Sequence, residues 1–593
     1  MTDSTNDAAV DIVVGDTSFF GHPKGLAILF LTEMWERFSY YGMRGLLILY
    51  LTQHFLFSDE KSSLIYGAYT ALVYVMTIIG GTLADRYLGQ RKAVTFGAIL
   101  LVLGHFGMAF EGSGSKQIIT FEGAEYELAL DGRGGDANQI LVSGDISTII
   151  TVDVDANELV LEDPAAVNLP ERISRDAYTS KTVTQELYKN ILFLSLALLI
   201  AGVGFLKANI STIVGAMYGV QDARRDSGFT IFYMGINLGS FLSSIFCGYL
   251  GIVYGWKYGF GLAGIGMLAG LMIFLKGQKY LGGRAEPPNP AKLKESFLGP
   301  INVEWACYLT GLIMISLSMF LVMNEELVGG ILGPIGILMF VFLVGYAFVK
   351  LDGLERNRMF AAIFFVLAQI PFWALFEQAG SSLTLFTDRL VDRNLFGWSV
   401  PTPMFQMLNA GFIFIFAPIM AWLWVWLDKR KMEPSTPIKF AIGVFGVGLG
   451  FLALVAGIKT TGSTGLTAVY FIFLIYWIHT MAELMLSPVG LSAVTKLAPA
   501  RVVGMTMGAW FLYSGLSNYL AGIIARSTGA ETIGGQLTDV AAAKSTYIAV
   551  YSQVGYIALG IAVAMVLFSP VVKHWMRNDD IEDESVLAST GHN

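Results

Sequence analysis

The sequence predicts an all-α protein that crosses a membrane many times and carries one small β-rich segment outside it. Hydrophobic residues make up 54% of the 593 residues, whereas charged residues make up only 14%. A soluble protein of this length needs roughly a quarter of its residues charged to cover its surface. The composition therefore excludes a soluble enzyme, a disordered chain and a secreted disulfide-bonded protein.

Apolar runs long enough to cross a bilayer recur along the whole chain, since a spanning helix needs about 20 mostly apolar residues. We count fourteen, at 25–53, 62–84, 92–110, 190–217, 227–251, 255–276, 303–325, 329–350, 357–386, 402–428, 436–459, 466–496, 499–526 and 546–576. Two tails, 1–24 and 577–593, flank them.

Basic residues indicate which connections face the cytoplasm. Lys and Arg concentrate in alternate connections, such as 277–302 and 429–431, as the positive-inside rule requires of cytoplasmic loops. The opposite connection 324–327 has two Glu and no basic residue. We therefore predict that both tails are cytoplasmic and that the segment 111–190 is external.

The segment 111–190 differs in composition from the rest of the chain. It holds fifteen Asp or Glu against six Lys or Arg, a net charge of −9 within a total of −8. The stretches 117–121, 126–129 and 146–154 are rich in β-branched and other apolar residues, with Gly and Asp between them. We predict an acidic β-rich module, which is either an insertion without a mechanistic role or a flap over the outer mouth of the bundle.

The first apolar run contains an unusual number of ionisable residues. Charges in the bilayer are costly unless they are paired or face water, so they are functional candidates by default. On a helix, Glu33, Arg37, Tyr40 and Arg44 fall within a stripe about 60° wide, and Glu36 stands beside Arg37. We expect this stripe to face the interior of the bundle.

Three later runs each contain a charge that apolar residues surround, namely Lys207, Glu377 and Glu483. At a rise of 1.5 Å per residue, Arg44 and Glu377 both lie roughly 7 to 8 Å outside the midplane. Glu36 and Lys207 both lie about 5 Å inside it. The sequence therefore predicts an outer ion pair and an inner cluster.

These intramembrane charges comprise four Glu and three cations, so one added proton would neutralise the set. A neutral zwitterion would then find a cation for its carboxylate and a carboxylate for its amine. We interpret the set as a proton switch. The alternative is a group of fixed ion pairs that only hold the helices in register.

Five stretches of sequence carry recognisable motifs. Residues 33–42 read EMWERFSYYG, 80–92 read GGTLADRYLGQRK, 372–378 read FWALFEQ and 483–492 read ELMLSPVGLS. The spacing DxxRxxGxxxFYxxINxG is carried by Asp222, Arg225, Gly228, Phe232, Tyr233, Ile236, Asn237 and Gly239. Together these stretches resemble the signatures of the proton-coupled oligopeptide transporters, the POT or PTR family of the major facilitator superfamily.

The resemblance implies a major facilitator fold, with twelve core helices in two six-helix halves and two extra helices between them. On this chain the halves would be 25–276 and 351–576, the linker 277–302 and the extra pair 303–350. The external module would interrupt the first half.

The resemblance also implies roles for individual residues. The proton-coupling residues would be Glu33, Glu36, Arg37, Lys207, Arg44 and Glu377. Arg44 and Glu377 would form an outer salt bridge that protonation of Glu377 releases. The substrate-binding residues would be Tyr40, Tyr41, Arg44, Tyr74, Lys207, Asn237, Trp373, Asn409, Glu483 and Trp510.

One position departs from part of the family. Some members carry a histidine in the second helix that handles protons, but the matching stretch 65–69 has Gly67 at that place. Proton handling would then rest on carboxylates alone.

The sequence thus predicts a proton-coupled importer of di- and tripeptides that works by alternating access, as a monomer, in the bacterial inner membrane. The coupling ion would be the proton, with no other cofactor, no metal, no ATP and no nucleic acid. Neither HExxH, GxSxG nor GxxxxGK[ST] occurs, so we predict no enzymatic activity. Two alternatives stay open: import of another small solute, such as nitrate or an amino-acid derivative, and a non-transporting sensor on the same fold.

Overall fold

The computed structural model describes residues 16–131, 138–153, 156–219 and 222–576. The predicted tail 577–593 and most of the tail 1–24 lie outside these ranges. Within them, fourteen helices of 20 residues or more form a bundle, labelled α1–α14 in chain order. They are α1 Lys24–Leu49, α2 Asp59–Leu83, α3 Gln90–Ala109, α4 Glu186–Ala216, α5 Arg225–Val253, α6 Trp256–Gly277, α7 Val303–Met323, α8 Glu325–Lys350, α9 Gly353–Phe376, α10 Met407–Asp428, α11 Thr436–Lys459, α12 Tyr470–Leu497, α13 Val503–Arg526 and α14 Val540–Trp575.

The predicted fourteen long helices are confirmed, with ends that differ by a few residues from the apolar runs. Twelve described helices are long and apolar enough to cross a membrane. The remaining two, α1 and α13, are less apolar: α1 carries the charged stripe, and α13 is rich in Gly and hydroxyl side chains. More than half of the residues of each are buried in the bundle, so neighbouring helices shield their polar groups from lipid.

Several helices begin where a polar side chain caps them. Asn302 accepts a hydrogen bond from the backbone nitrogen of Trp305 (2.9 Å) at the start of α7. Asp539 accepts one from Ala542 (2.7 Å) at the start of α14. These side chains satisfy backbone donors that have no partner in the first helical turn.

The bundle consists of two halves with separate apolar cores. In the first half α1 packs on α5 and α6, and α4 packs on α2 and α3. In the second half α11 packs on α12 and α14, and α9 packs on α13. The halves meet where α2 contacts α13 and α5 contacts α10, while α7 and α8 lie outside against α4 and α13.

Glycine permits a close approach between the halves at α2 and α13. A Cβ atom built on Gly67 of α2 would lie 2.8 Å from the Cα of Gly522 in α13. A larger residue at either position would push the two helices apart. Gly67 is the position at which some family members carry a histidine, and in this packing it has no room for that side chain.

The predicted β-rich module is confirmed. Seven antiparallel strands lie between α3 and α4 in the order β6-β5-β4-β3-β2-β1-β7. They are β1 Lys116–Phe121, β2 Ala124–Asp131, β3 Asn138–Ser143, β4 Ile146–Asp153, β5 Glu158–Leu161, β6 Arg172–Ser174 and β7 Tyr178–Val183. Lys116 pairs with Val183, so the chain enters and leaves at one edge of the sheet. We call the end of the bundle that carries this module the sheet end.

The module also contacts the second half of the bundle. A short hairpin at 532–537 joins α13 to α14, with Gly534 and Gly535 at positive φ in its turn. Ile533 of this hairpin is 3% exposed and belongs to the apolar core of the module. Gln139 donates to the Ile533 carbonyl oxygen, and the Gly534 nitrogen donates to Gln117 (2.6 Å). The module therefore bridges both halves at the sheet end.

Candidate functional site

The charged stripe of α1 lies inside the bundle, as the helical spacing predicts. Arg37 Nε lies 2.9 Å from a Glu33 oxygen and 2.5 Å from a Glu36 oxygen. All three side chains are buried. The Arg37 guanidinium also lies 5.4 Å from the centre of the Tyr40 ring. One cation thus faces two carboxyl groups, and with both of them ionised this group has a net charge of −1.

The predicted outer pair is present. Arg44 Nη2 of α1 donates to Glu377 Oε2, which joins the first half to the second. Arg44 Nε also donates to the hydroxyl of Tyr66 (2.6 Å), and its guanidinium lies 5.8 Å from the ring centre of Tyr41. The depth estimate from the sequence therefore located this contact correctly.

Glu377 lies where α9 changes into a tighter turn. The helix ends at Phe376, after an internal Pro371, and a 3₁₀ turn covers Glu377–Gly380. A Cβ atom on Gly380 would lie only 1.8 Å from the Tyr66 hydroxyl. Glycine at this position therefore lets the turn approach the Arg44 side chain closely.

Lys207 of α4 contacts an aromatic ring. Its Nζ lies 3.9 Å from the ring centre of Tyr74, a cation–π geometry. Lys207 was predicted to belong to an inner cluster with Glu36, but among the described residues no ion pair joins the two side chains. Two residues at equal depth lie at the same height in the membrane. Whether their side chains meet also depends on how each helix is rotated about its axis, and the depth estimate does not give that rotation.

Glu483 of α12 is bound by an amide. Asn409 Nδ2 of α10 donates to Glu483 Oε2 (2.8 Å) and to the Thr480 hydroxyl (3.2 Å). On α5, Asn237 is buried and donates to the Tyr233 carbonyl oxygen (3.1 Å). The fold thus brings Glu483 and Asn409 together, whereas Asn237 donates its hydrogen bond to a carbonyl oxygen of its own helix.

The predicted aromatic residues lie on both halves. The rings of Tyr40 and Tyr41 meet edge to face at 5.3 Å. The ring of Trp373 packs edge to face on the ring of Phe376, with 5.4 Å between the ring centres. Phe376 is the residue directly before Glu377. Trp510 is mostly buried, and its carbonyl oxygen accepts a hydrogen bond from Gln369 (3.1 Å).

A second ion pair between the halves was missed by the sequence analysis. Arg389, at the end of the short helix Ser382–Leu390, donates to both oxygens of Asp59 in α2 at 2.6 and 2.9 Å. Asp59 is 2% exposed. Nearby, Gln53 donates to Asp388 (2.8 Å). Both residues of the ion pair lie at helix ends, where sequence alone does not separate a buried charge from a loop charge.

Among the described residues, the ion pairs that join the two halves therefore lie at the sheet end. Arg44–Glu377, Asp59–Arg389 and the module contacts all lie there. Within the described ranges, no three His, Cys, Asp or Glu side chains cluster in a way that would hold a metal ion. The interior arrangement thus consists of carboxylates, cations and aromatic rings.

A family model for the POT family matches residues 91–540. The chain belongs to the POT family. The transporter YclF of Bacillus subtilis is 34% identical over 95% of this chain and 97% of its own length. The peptide transporter YePEPT of Yersinia enterocolitica is 31% identical over 88% of this chain and 90% of its own length. With its apolar helices, this POT family chain is an integral membrane protein.

Solved structures of POT family proteins share the fold. A peptide transporter POT in complex with sulfate matches with a TM-score of 0.72 and 31% identity, covering 97% of this chain and 100% of that one. A POT family transporter in complex with 5-aminolevulinic acid matches with a TM-score of 0.70 and 27% identity, covering 95% of this chain and 99% of that one. The predicted two-half fold with an added pair of helices is thus confirmed.

Proposed function

We propose that this POT family chain is a proton-coupled symporter that imports di- and tripeptides by alternating access. The observation that carries the proposal is the contact between Arg44 and Glu377, which joins the halves through a charge that one proton would cancel. The similarity to YePEPT, a peptide transporter, supports the substrate class.

The two ionisation states of Glu377 would favour opposite conformations. When Glu377 is ionised, the pair with Arg44 holds the sheet end closed. When Glu377 takes up a proton, the attraction is lost, the sheet end opens and Arg44 becomes free to bind a peptide carboxylate. Loss of that proton on the other side returns Arg44 to Glu377 and releases the carboxylate.

The inner cluster would complete the coupling. Glu33 and Glu36 share Arg37, and Lys207 lies over Tyr74. We infer that these carboxylates and Lys207 exchange partners during transport, as the family resemblance implies. Glu483 and Asn409 would receive the peptide amine, and the aromatic residues would line the side-chain pockets.

The sheet end would face the outside, because Lys and Arg concentrate in connections at the other end. Protons moving inward would then drive accumulation. A potential of 100 mV supplies about 2.3 kcal/mol per charge, so one proton per neutral peptide supports roughly fiftyfold accumulation. We propose that a monomer suffices, since each named site lies within one chain.

The β module would act as a clamp on the closed sheet end. It is covalently attached to α3 and α4, and it holds the hairpin 532–537 of the other half by burying Ile533. Opening the sheet end would have to move this contact. The module would then have a mechanistic role, unlike an insertion that does not affect transport. As a flap over the outer mouth, it would be attached to the second half through this hairpin.

A second candidate function is import of an amino-acid derivative, because a POT family neighbour binds 5-aminolevulinic acid. Import of nitrate is less consistent with the site, since nitrate has no amine to occupy Glu483 and Asn409. A non-transporting sensor would bind peptide without moving it.

Purified protein in proteoliposomes distinguishes these functions. With an inward proton gradient, we expect a labelled dipeptide to accumulate above its external concentration, and a proton ionophore to abolish that accumulation. Unlabelled tripeptide should compete, whereas nitrate should not. Competition by 5-aminolevulinic acid without dipeptide uptake would favour the second candidate, and binding without any uptake would favour the sensor.

A further inference from the structure

The side-chain nitrogen of Asn409 is held by two acceptors. It donates to Glu483 Oε2 at 2.8 Å and to Thr480 Oγ1 at 3.2 Å. Thr480 is fully buried, and its own hydroxyl hydrogen is donated to the carbonyl oxygen of Tyr476 (2.7 Å). The Thr480 oxygen therefore accepts the hydrogen bond from Asn409 and has no second hydrogen to donate to it.

These two bonds determine which way the amide of Asn409 points. Reversing the amide would place its oxygen against an ionised Glu483 carboxylate and against a hydroxyl oxygen whose hydrogen is already used. Both contacts would become repulsive. The nitrogen must therefore face Glu483 and Thr480, and Oδ1 must point away from them.

The Oδ1 atom is a second acceptor beside Glu483, since both belong to one hydrogen-bonded pair of side chains. Within the described ranges no protein donor bonds to Asn409 Oδ1, and the residue is partly exposed. A primary ammonium carries three donors and no acceptor, so it suits a site made of a carboxylate and an amide oxygen. A reversed Asn409 would present its NH₂ group and repel the same ammonium.

We propose that Thr480 is a positioning residue that locks the Asn409 amide so that this site accepts the free amino terminus of a peptide. The inference rests on the proposed function, in which Glu483 and Asn409 receive that amine. Thr480 acts through Asn409 and sets selectivity for substrates with an unmodified amino terminus.

The test compares Thr480→Val with Thr480→Ser. Valine keeps the shape of threonine but removes the acceptor, whereas serine keeps the acceptor. We expect the dissociation constant for dialanine, measured by titration calorimetry on the purified full chain, to rise about three- to tenfold in Thr480→Val. Thr480→Ser should stay within about twofold of wild type, since it keeps the hydrogen bond.

N-acetyl-dialanine serves as the second probe, because its blocked amine has no charge for the site to recognise. We expect N-acetyl-dialanine to bind more weakly than dialanine. Its dissociation constant should be the same in wild type, Thr480→Val and Thr480→Ser. The matched control is Thr387→Val, since Thr387 is also buried and its hydroxyl donates to a carbonyl one turn earlier, that of Leu383 (2.6 Å). That control should bind both probes as wild type does.

Three results would overturn the assignment: wild-type dialanine affinity in Thr480→Val, an equal loss in Thr480→Ser, or an equal loss for N-acetyl-dialanine. The last two would indicate a packing role for Thr480. Failure of the wild-type protein to bind dialanine at all would instead refute the proposed function, and the assignment with it.

Discussion

Arg44 of α1 and Glu377 at the end of α9 form an ion pair that crosses the boundary between the two halves of the bundle. Their side chains are 12% and 7% exposed. A buried ion pair is a weak stabiliser compared with apolar packing, but removing the charge of one partner is strongly unfavourable for the other. In the proposed coupling, a single proton on Glu377 would therefore be enough to change the balance between the closed and open states.

Lys207 is expected to be essential for coupling. Lys207→Ala would remove one of three intramembrane cations and leave Glu33 and Glu36 with Arg37 alone. We expect proton-driven dipeptide accumulation in proteoliposomes to fall to the equilibrium level. Lys189→Ala is the matched control, since Lys189 lies on the same helix but pairs at the surface with Glu186. Normal accumulation by Lys207→Ala would contradict its assigned role.

Arg389 is expected to hold the sheet end closed. Arg389→Gln leaves Asp59 buried without its cation in the closed state, which costs about 3–5 kcal/mol, whereas water would hydrate Asp59 in an open state. A cysteine at the buried Ser63, in a background without Cys247 and Cys307, reports opening through its reaction with an impermeant thiol reagent. We expect that reaction to be at least about tenfold faster in Arg389→Gln.

The matched control for Arg389 is Arg526→Gln, because Arg526 also lies at the sheet end but pairs at the surface with Glu326 of α8. It should leave the labelling rate of the Ser63 position unchanged. Equal labelling in wild type and Arg389→Gln would show that the Asp59 pair does not close this end.

The β module is expected to stabilise the same closed state. Ile533→Asp would place a charge in the apolar core of the module and detach the hairpin from it. We expect faster labelling of the Ser63 cysteine and a lower melting temperature. Ile146→Asp makes the same change at a module position that is half exposed, and it should alter neither quantity. Unchanged labelling in Ile533→Asp would favour an insertion without a mechanistic role.

Gly67 is expected to be required for closure of the sheet end, through helix packing rather than through charge. Gly67→Ala would bring a Cβ atom within 2.8 Å of the Gly522 Cα, so α2 and α13 would have to separate. We expect a lower melting temperature and slower peptide exchange. Gly81→Ala on the same helix meets only the Ala208 side chain at 3.7 Å and should behave as wild type. A fully active, stable Gly67→Ala variant would contradict this packing argument.

The sequence predicts the Arg44–Glu377 pair because both charges lie within apolar runs and their depths follow from helical rise alone. It also predicts that Glu33 and Arg37 share one interior face, since residues four apart lie on the same side of a helix, and in the structure the two form an ion pair. Lys207 shows the limit of this approach: its depth was predictable, but its contact with Tyr74 depends on helix rotation.

Other contacts depend on tertiary structure that no local pattern reports. Asp59 and Arg389 occupy helix ends, so each resembles an ordinary solvated charge in the sequence. The burial of Ile533 in the module joins segments several hundred residues apart without a charge pattern or a periodicity. The module was predictable as a fold element, but its attachment to the second half was not.

The most direct test of the account is a comparison of accumulation and exchange in Glu377→Gln. Glutamine imitates the protonated carboxyl and cannot titrate, so Arg44 would lose its charged partner permanently. In proteoliposomes we expect this variant to exchange labelled for unlabelled dipeptide about as well as wild type, while an inward proton gradient produces no accumulation. Accumulation by Glu377→Gln equal to that of wild type under the same gradient would contradict the proposed coupling.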